Sequence, residues 1–358
     1  MDAVYQLHEL NDDPHSFAGA RCSFEGSDGY TRIILIIRII HCAERDFGLC
    51  SIVVEVECEC TALGCDWHEK QLILKVCFPE AGSPIPEKML IQEAKRVAEH
   101  TSELWALNHL PDLIDSITIT YDDKNARQGN ITTVEETCEG SIMYITVFEE
   151  LHPLSELDDL TDFAQVFYDI LQIHQWLYEC AGILHRDLSI GNIMFRRIEG
   201  KVYGGPASDF RTGTRPFMSV DLLDPDWKGG HLYRHDLESL FFIMICLACR
   251  YERPAGPTMK CAQTKLTSSA TVSLERSRFN FILLVLQIGW ILSITGSVLP
   301  IRDARKSGVY RSSCLLGNTP YDWNTLGGIF TYTDMRQLMS SFQDQPLETR
   351  WSGGNPDH

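Results

Sequence analysis

The period of hydrophobic positions changes near residue 150. Before it the pattern is that of strands. Ser51–Cys60 alternates strictly, with Val54, Val56, Cys58 and Cys60 on one face and Glu55, Glu57 and Glu59 on the other, which predicts a half-buried strand. The apolar runs Gln71–Phe78 and Ser141–Phe148 predict two more. Tyr30–Cys42 is dense in β-branched Ile and reads either as a buried strand or as a short helix. A helix is expected over Pro86–Leu107, with Pro86 in the first turn, where its missing N–H costs nothing. Past residue 150 the period becomes helical. Phe163, Val166, Phe167, Ile170, Ile173 and Leu177 recur at spacings of three and four, predicting a helix over Thr161–Cys180. Thr161 suits its cap, Asp162 its first turn, and Gly182 lies just past its end.

Strands with one helix, followed by helices, predict an α+β fold with a small β-rich part joined near residue 150 to a larger, mainly helical part. The expected limits are a loose extension over 1–29, the β-rich lobe over 30–150, the helical lobe over 151–345 and a flexible tail over 346–358. The chain shows no internal repeat and no low-complexity tract.

Composition narrows the function. The 358 residues are 44% hydrophobic and 22% charged, enough apolar side chain to bury a core. The net charge of −18 argues against a protein that grips nucleic-acid backbones, which requires clustered Lys and Arg. Thirteen cysteines are an odd number, so one thiol at least has no partner within the chain. The first residues, MDAVYQ, lack a basic region followed by an apolar one. Together these point to a reducing, intracellular location, cytoplasmic or nuclear.

Ile183–Phe195 reads ILHRDLSIGNIMF. It places the carboxylate of Asp187 five residues before the amide of Asn192, directly after His185 and Arg186. That spacing puts a carboxylate and a metal-binding amide on one short loop, and it matches H-R-D-x-x-x-x-N, the catalytic loop of protein kinases. Arg211–Leu223, RTGTRPFMSVDLL, resembles the end of a kinase activation segment, with Thr214 in the substrate-facing loop and Asp221 where the last acid of that segment stands. Asp236, in YRHDLES, matches the buried Asp that opens a central helix and ties down the catalytic loop through backbone N–H groups. With WALNHLP (Trp105–Pro111) and GKVYG (Gly200–Gly204), these stretches resemble the fungal-type protein kinase domain over about residues 30–250.

The resemblance implies a bilobal protein-kinase-like fold, ATP and Mg²⁺ as ligands, and phosphoryl transfer to Ser or Thr of a protein substrate. Asp187 would be the base or orienting carboxylate, with His185 and Arg186 beside it. Asn192 would bind metal. Ser189 stands where most kinases carry Lys, which looks normal for this family. Lys75, between Leu74 and Val76 in an apolar strand, would hold the phosphates. Its acidic partner is either Glu87, at the head of the following helix, or Glu93, within it. Phe148 and Glu149–Leu151 would form the hinge that binds adenine.

Three features depart from that pattern. Asp209-Phe210 stands alone as a candidate for the second metal loop. It follows GGPAS, a poor strand, and precedes Asp221 by an unusually short stretch, so either Asp209 serves with a truncated segment or the metal loop is absent. Asp46-Phe47-Gly48 precedes Lys75, the wrong chain order for that role. Gly48 and Gly64 are isolated and give no glycine-rich phosphate cradle. Phe279–Leu299 carries no charge over a length that spans a bilayer. It reads as a buried helix, as a membrane span, or as a segment foreign to the domain. Cys58, Cys60, Cys65 and His68 have zinc-ligand types and spacing, yet Cys58 and Cys60 also continue an apolar strand face, where Cys is a small hydrophobe. The function classes therefore are an active kinase, a pseudokinase that binds or scaffolds, and a small-molecule phosphotransferase, against which the activation-segment resemblance argues.

Overall fold

The isoleucine-rich stretch is a strand in the computed structural model of the chain: β2 (Thr31–Arg45) pairs antiparallel with β3 (Gly48–Cys58). Residues 18–45, 48–60, 65–68, 70–78, 86–120, 142–206, 217–219, 221–224, 226–250 and 331–353 are described. β1 (Arg21–Glu25), β4 (Leu72–Cys77), β5 (Leu113–Thr120) and β6 (Ile142–Glu149) complete an antiparallel sheet of order β1-β2-β3-β4-β6-β5. Ile34, Val54, Val56, Leu72, Leu74, Ile145 and Val147 form its buried face, so the alternation of β3 does place its valines inward.

β1 lies within the stretch expected to be a loose extension. Its composition is polar, and its order comes from pairing: Arg21 to Glu25 run against Leu35 to Thr31, and Arg21 ion-pairs with Glu59 at 2.6 Å. An edge strand held by its ladder and a surface ion pair leaves little hydrophobic period to read.

α1 (Glu87–His100) is shorter than expected. Ser102 takes a positive φ of 60° just after it, and a 3-10 turn, Leu104–His109, follows. By contacts the chain divides into Met1–Gln92 with Pro111–Glu150, and Glu93–Leu110 with Leu151–His358. The 93–110 stretch thus goes with the second unit, whereas the sequence placed it with the first. Val97, Ala98 and Ala106 are buried with Ile173 and Trp176 of the second unit, which accounts for the difference.

The second unit is built on α2 (Leu160–Glu179), α3 (Tyr233–Arg250), α4 (Tyr332–Met339) and a small sheet of β7 (His152–Pro153), β8 (Ile193–Ile198) and β9 (Lys201–Pro206). α2 buries Phe163 through Leu177. Its cap is Asp159 rather than Thr161. Thr161 already lies in the first turn, so its own N–H needs a partner, and Asp159 accepts from the N–H groups of Thr161 and Asp162 at 2.6 and 3.0 Å.

The glycine-rich stretch after Lys201 is a strand, contrary to its poor propensity. A Cβ on Gly204 or on Gly205 would overlap the carbonyl oxygen of Val166 or of His109. The glycines are there for close backbone approach, which propensity does not register.

The expected flexible tail is also corrected. β10 (Ser341–Phe342) and β11 (Gln345–Pro346) form a hairpin. Beyond it the Glu348 and Arg350 N–H groups donate to the Gln165 and Gln172 side chains, each at 2.7 Å. Trp351 is buried and stacks on Trp105 with centroids 6.1 Å apart. Large aromatic burial and satisfied backbone groups fix this end up to Gly353. No helix among the described residues is long and apolar enough to cross a membrane; Phe279–Leu299 lies outside them.

Candidate active site

In the first unit, Lys75 sits on β4 opposite Val53 of β3 and Thr146 of β6. It projects from the face opposite Leu72 and Leu74, with strands on both sides, and is 6% exposed. Its Nζ donates to Glu87 Oε2 at 2.9 Å, and Glu87 is likewise 6% exposed. Of the two acids open to the sequence, Glu87 is therefore the partner, because it is the first residue of α1. Glu93 faces outward and takes Arg96 in a two-pronged bond of 2.7 and 2.6 Å, which holds its carboxyl below the usual range. Glu149 ends β6, exposed, with its N–H bonded to the Asp112 carbonyl at 3.0 Å. Leu151, half-buried, opens the second unit.

In the second unit, the loop between α2 and β8 carries His185, Arg186, Asp187 and Asn192. Asn192 Nδ2 donates to the Asp187 backbone carbonyl at 2.8 Å and to its Oδ2 at 3.1 Å. The Asp187 N–H meets His185 Nδ1 at 3.3 Å. Arg186 has a positive φ of 70°, a conformation that costs a non-glycine residue about 1–2 kcal/mol.

Asp236 holds that strained residue. Its Oδ2 accepts the Arg186 N–H at 2.9 Å and His174 Nε2 at 2.9 Å, and its Oδ1 accepts His231 Nε2 at 2.8 Å. His174 Nδ1 in turn meets the Tyr332 hydroxyl at 2.7 Å. Burial raises the cost of ionising Asp236, but the bonds and charges of His174 and His231 outweigh it and hold the carboxyl well below the usual range. The carboxylate lies in the first turn of α3, where the helix dipole favours it. Nearby, Asp221 is buried in an ion pair with Arg234.

His174 and Tyr332 were not singled out from sequence. The available signal was polar residues on a buried helix: Asp169, Gln172 and His174 interrupt the apolar α2 and are at most 1% exposed. Such residues need partners from elsewhere, and α3, α4, β9 and the C-terminal segment supply them. Asp209, Thr214, Gly64 and Asp46-Phe47 lie outside the described residues.

The donor set suits the groups expected there. Lys75 is an ammonium, a donor suited to phosphate oxygens, and the loop from Asp187 to Asn192 carries a carboxylate and an amide, the hard oxygen ligands that Mg²⁺ takes.

The family model described as Fungal protein kinase matches residues 88–248. No curated protein matches the chain. Among solved structures, vaccinia related kinase 3 aligns at 14% identity with a TM-score of 0.38, over 66% of this chain and 69% of that one. The ROP18 kinase domain, in complex with AMP-PNP and sucrose, aligns at 14% identity with a TM-score of 0.34, over 73% and 77%. The family match holds the loop from His185 to Asn192 and Asp236; Lys75 and Glu87 precede it.

Proposed function

We propose that this chain, whose residues 88–248 match the model described as Fungal protein kinase, carries a protein-kinase-like domain and transfers a phosphoryl group from ATP to a Ser or Thr hydroxyl of a protein substrate. The observation that carries this reading is the loop within the match: Asp187 and Asn192 bonded side to side, on a backbone pinned by Asp236. Bound Mg²⁺ and ATP would supply the phosphoryl group and neutralise its charge. Asp187 would orient the incoming hydroxyl and take up its proton. Asn192, with Asp209, would hold the metal. Lys75, steadied by Glu87, would bind phosphate oxygens. Glu149 and Leu151 would offer backbone groups to adenine. Positioning and charge neutralisation are what such transfer requires of a protein. Cys22, Cys58, Cys60, Cys65 and Cys180 are in no disulfide, in keeping with an intracellular, reducing location.

The test is transfer of label from ATP to protein and peptide acceptors by the purified chain, beside Asp187→Asn. We expect the variant to lose on the order of 100-fold or more in rate. Equal rates would overturn the assignment. Labelling of small metabolites but of no peptide would favour the small-molecule phosphotransferase.

The pseudokinase reading draws on Gly48, which starts β3 and is the one glycine of the sequence between Gly29 and Gly64. It predicts no thermal stabilisation by ATP with Mg²⁺; the kinase reading predicts several degrees, because a ligand that binds the native state must raise apparent stability.

A further inference from the structure

The end of β3 and the connection to β4 bring four soft donors together. Cys58 closes β3, and the strand period keeps Cys60 on the same side. The chain then returns through Cys65 and His68. The Cys58 and Cys60 sulfurs are 3.2 Å apart, those of Cys58 and Cys65 3.8 Å, and Cys60 Sγ lies 3.7 Å from His68 Nε2. All four donor atoms lie within 4.8 Å of one another.

Three of the six separations can be set against the edges of a zinc tetrahedron. Zinc bonds of about 2.3 Å to sulfur and about 2.0 Å to nitrogen set S···S edges near 3.8 Å and S···N edges near 3.5 Å, to about a few tenths of an ångström. The Cys58–Cys60 edge is shorter than that, yet far longer than the roughly 2.05 Å of a disulfide. Packing alone explains buried thiols, and Cys58 and Cys60 do belong to the core cluster of the sheet. Packing does not explain why an exposed histidine turns a ring nitrogen onto them. A cationic neighbour is also in place. The Arg32 guanidinium is 4.2 Å over the ring of Trp67, which lies between Cys65 and His68 in the chain; Arg32 is 5% exposed and ion-pairs with Asp28.

We infer that Cys58, Cys60, Cys65 and His68 form a structural zinc site. Three thiolates and an imidazole select zinc over the hard cations of phosphoryl transfer, and four protein donors close the coordination, which suits a structural rather than a catalytic ion. Binding displaces one proton from each thiol, and the three negative charges so formed exceed the metal's two by one. The ion would staple the end of β3 to the start of the β3–β4 connection, and so steady β4, the strand that carries Lys75.

The experiment is metal analysis of the full chain purified under reducing conditions without chelator. One zinc per chain is expected, along with a fall in zinc affinity of on the order of 100-fold in His68→Ala and in Cys65→Ser. His68→Cys keeps the metal, as does Cys180→Ser, whose thiol is exposed elsewhere. Should the two loss variants fail to fold, Co²⁺ titration of the metal-stripped wild type decides: thiolate-to-cobalt charge transfer with tetrahedral d–d bands supports the site. A wild type without zinc and without those bands, zinc retained by both Cys65→Ser and His68→Ala, or a Cys58–Cys60 disulfide in the protein as isolated would each overturn it.

Discussion

Lys75 and Glu87 meet across a strand and a helix, while Asp187 and Asn192 meet within one loop. The first pair depends on sheet register and on where α1 begins, and it consists of two opposite charges in a dry place. The second is local, and its backbone is then pinned from α3 by Asp236, which α2 and α4 support through His174 and Tyr332. The contrast separates two ways of placing a charged group. A buried ion pair is intolerant of losing one member, because the other is left uncompensated. A pinned loop spreads its dependence over several weaker bonds, so single losses there cost less stability but disturb geometry.

The sharpest break removes one charge from the first pair. Lys75→Met is expected to destabilise the chain by about 3–5 kcal/mol and to abolish stabilisation by ATP. Lys75→Met with Glu87→Leu should regain most of that stability and none of the ATP effect. Urea denaturation and thermal shifts check both. Should the double variant stay as unstable as the single one, the pair is not what limits that strand.

Trp351→Ala comes next. Removing a buried indole that stacks on Trp105 should cost about 3 kcal/mol, with Kd for ATP unchanged. A null effect on the urea midpoint would mean that the C-terminal segment is not part of the second unit's core.

Asp236→Asn keeps the shape but loses the charge that His174 and His231 share. We expect about 2 kcal/mol of destabilisation together with a fall in kcat larger than any change in KM, since the Arg186 conformation loosens. A change in KM alone would contradict the pinning role.

The smallest net effect is a pH dependence with two opposing parts, both touching Gly204. Burial pulls His109 down to about 4; its bond to the Gly204 carbonyl resists, and Arg350 and Arg196 add to the shift. A depressed histidine contributes stability that is full above its unfolded value of 6.5 and is lost as pH falls through about 4. Burial pushes Asp169 up to about 7 against Arg350, Gln165 and the Gly204 N–H. A raised carboxyl contributes stability that is full below its unfolded value of 3.8 and is lost as pH rises through about 7. From pH 7 to 4 the two therefore offset each other. Asp169→Asn removes the compensating gain, so its stability from urea midpoints should fall more steeply over that range, by up to about 4 kcal/mol. Parallel curves for variant and wild type would refute the assignment.

The same contrast governs what the sequence disclosed. The Asp187–Asn192 pair was legible because both residues and their spacing lie on one loop. Lys75 was legible from its strand, but its partner was not, since the choice between Glu87 and Glu93 depends on where α1 starts in space. Asp236 could be named, while His174 and Tyr332 could not, because their bonds span 62 and 158 positions of chain. β9 and the 346–353 segment were misread for one reason: Gly204, Gly205 and Trp351 are fixed by what packs against them, and neither periodicity nor propensity registers a distant neighbour.

The most direct test is a side-by-side measurement of phosphoryl transfer from labelled ATP, with Mg²⁺, by the wild-type chain and by Asp187→Asn, both shown to be folded by equal urea midpoints. Transfer by the wild type and its loss in the variant is the expected result. Transfer undiminished in Asp187→Asn, or no transfer by a wild type that ATP and Mg²⁺ stabilise, would contradict the assignment of Asp187 as the residue on which the chemistry turns.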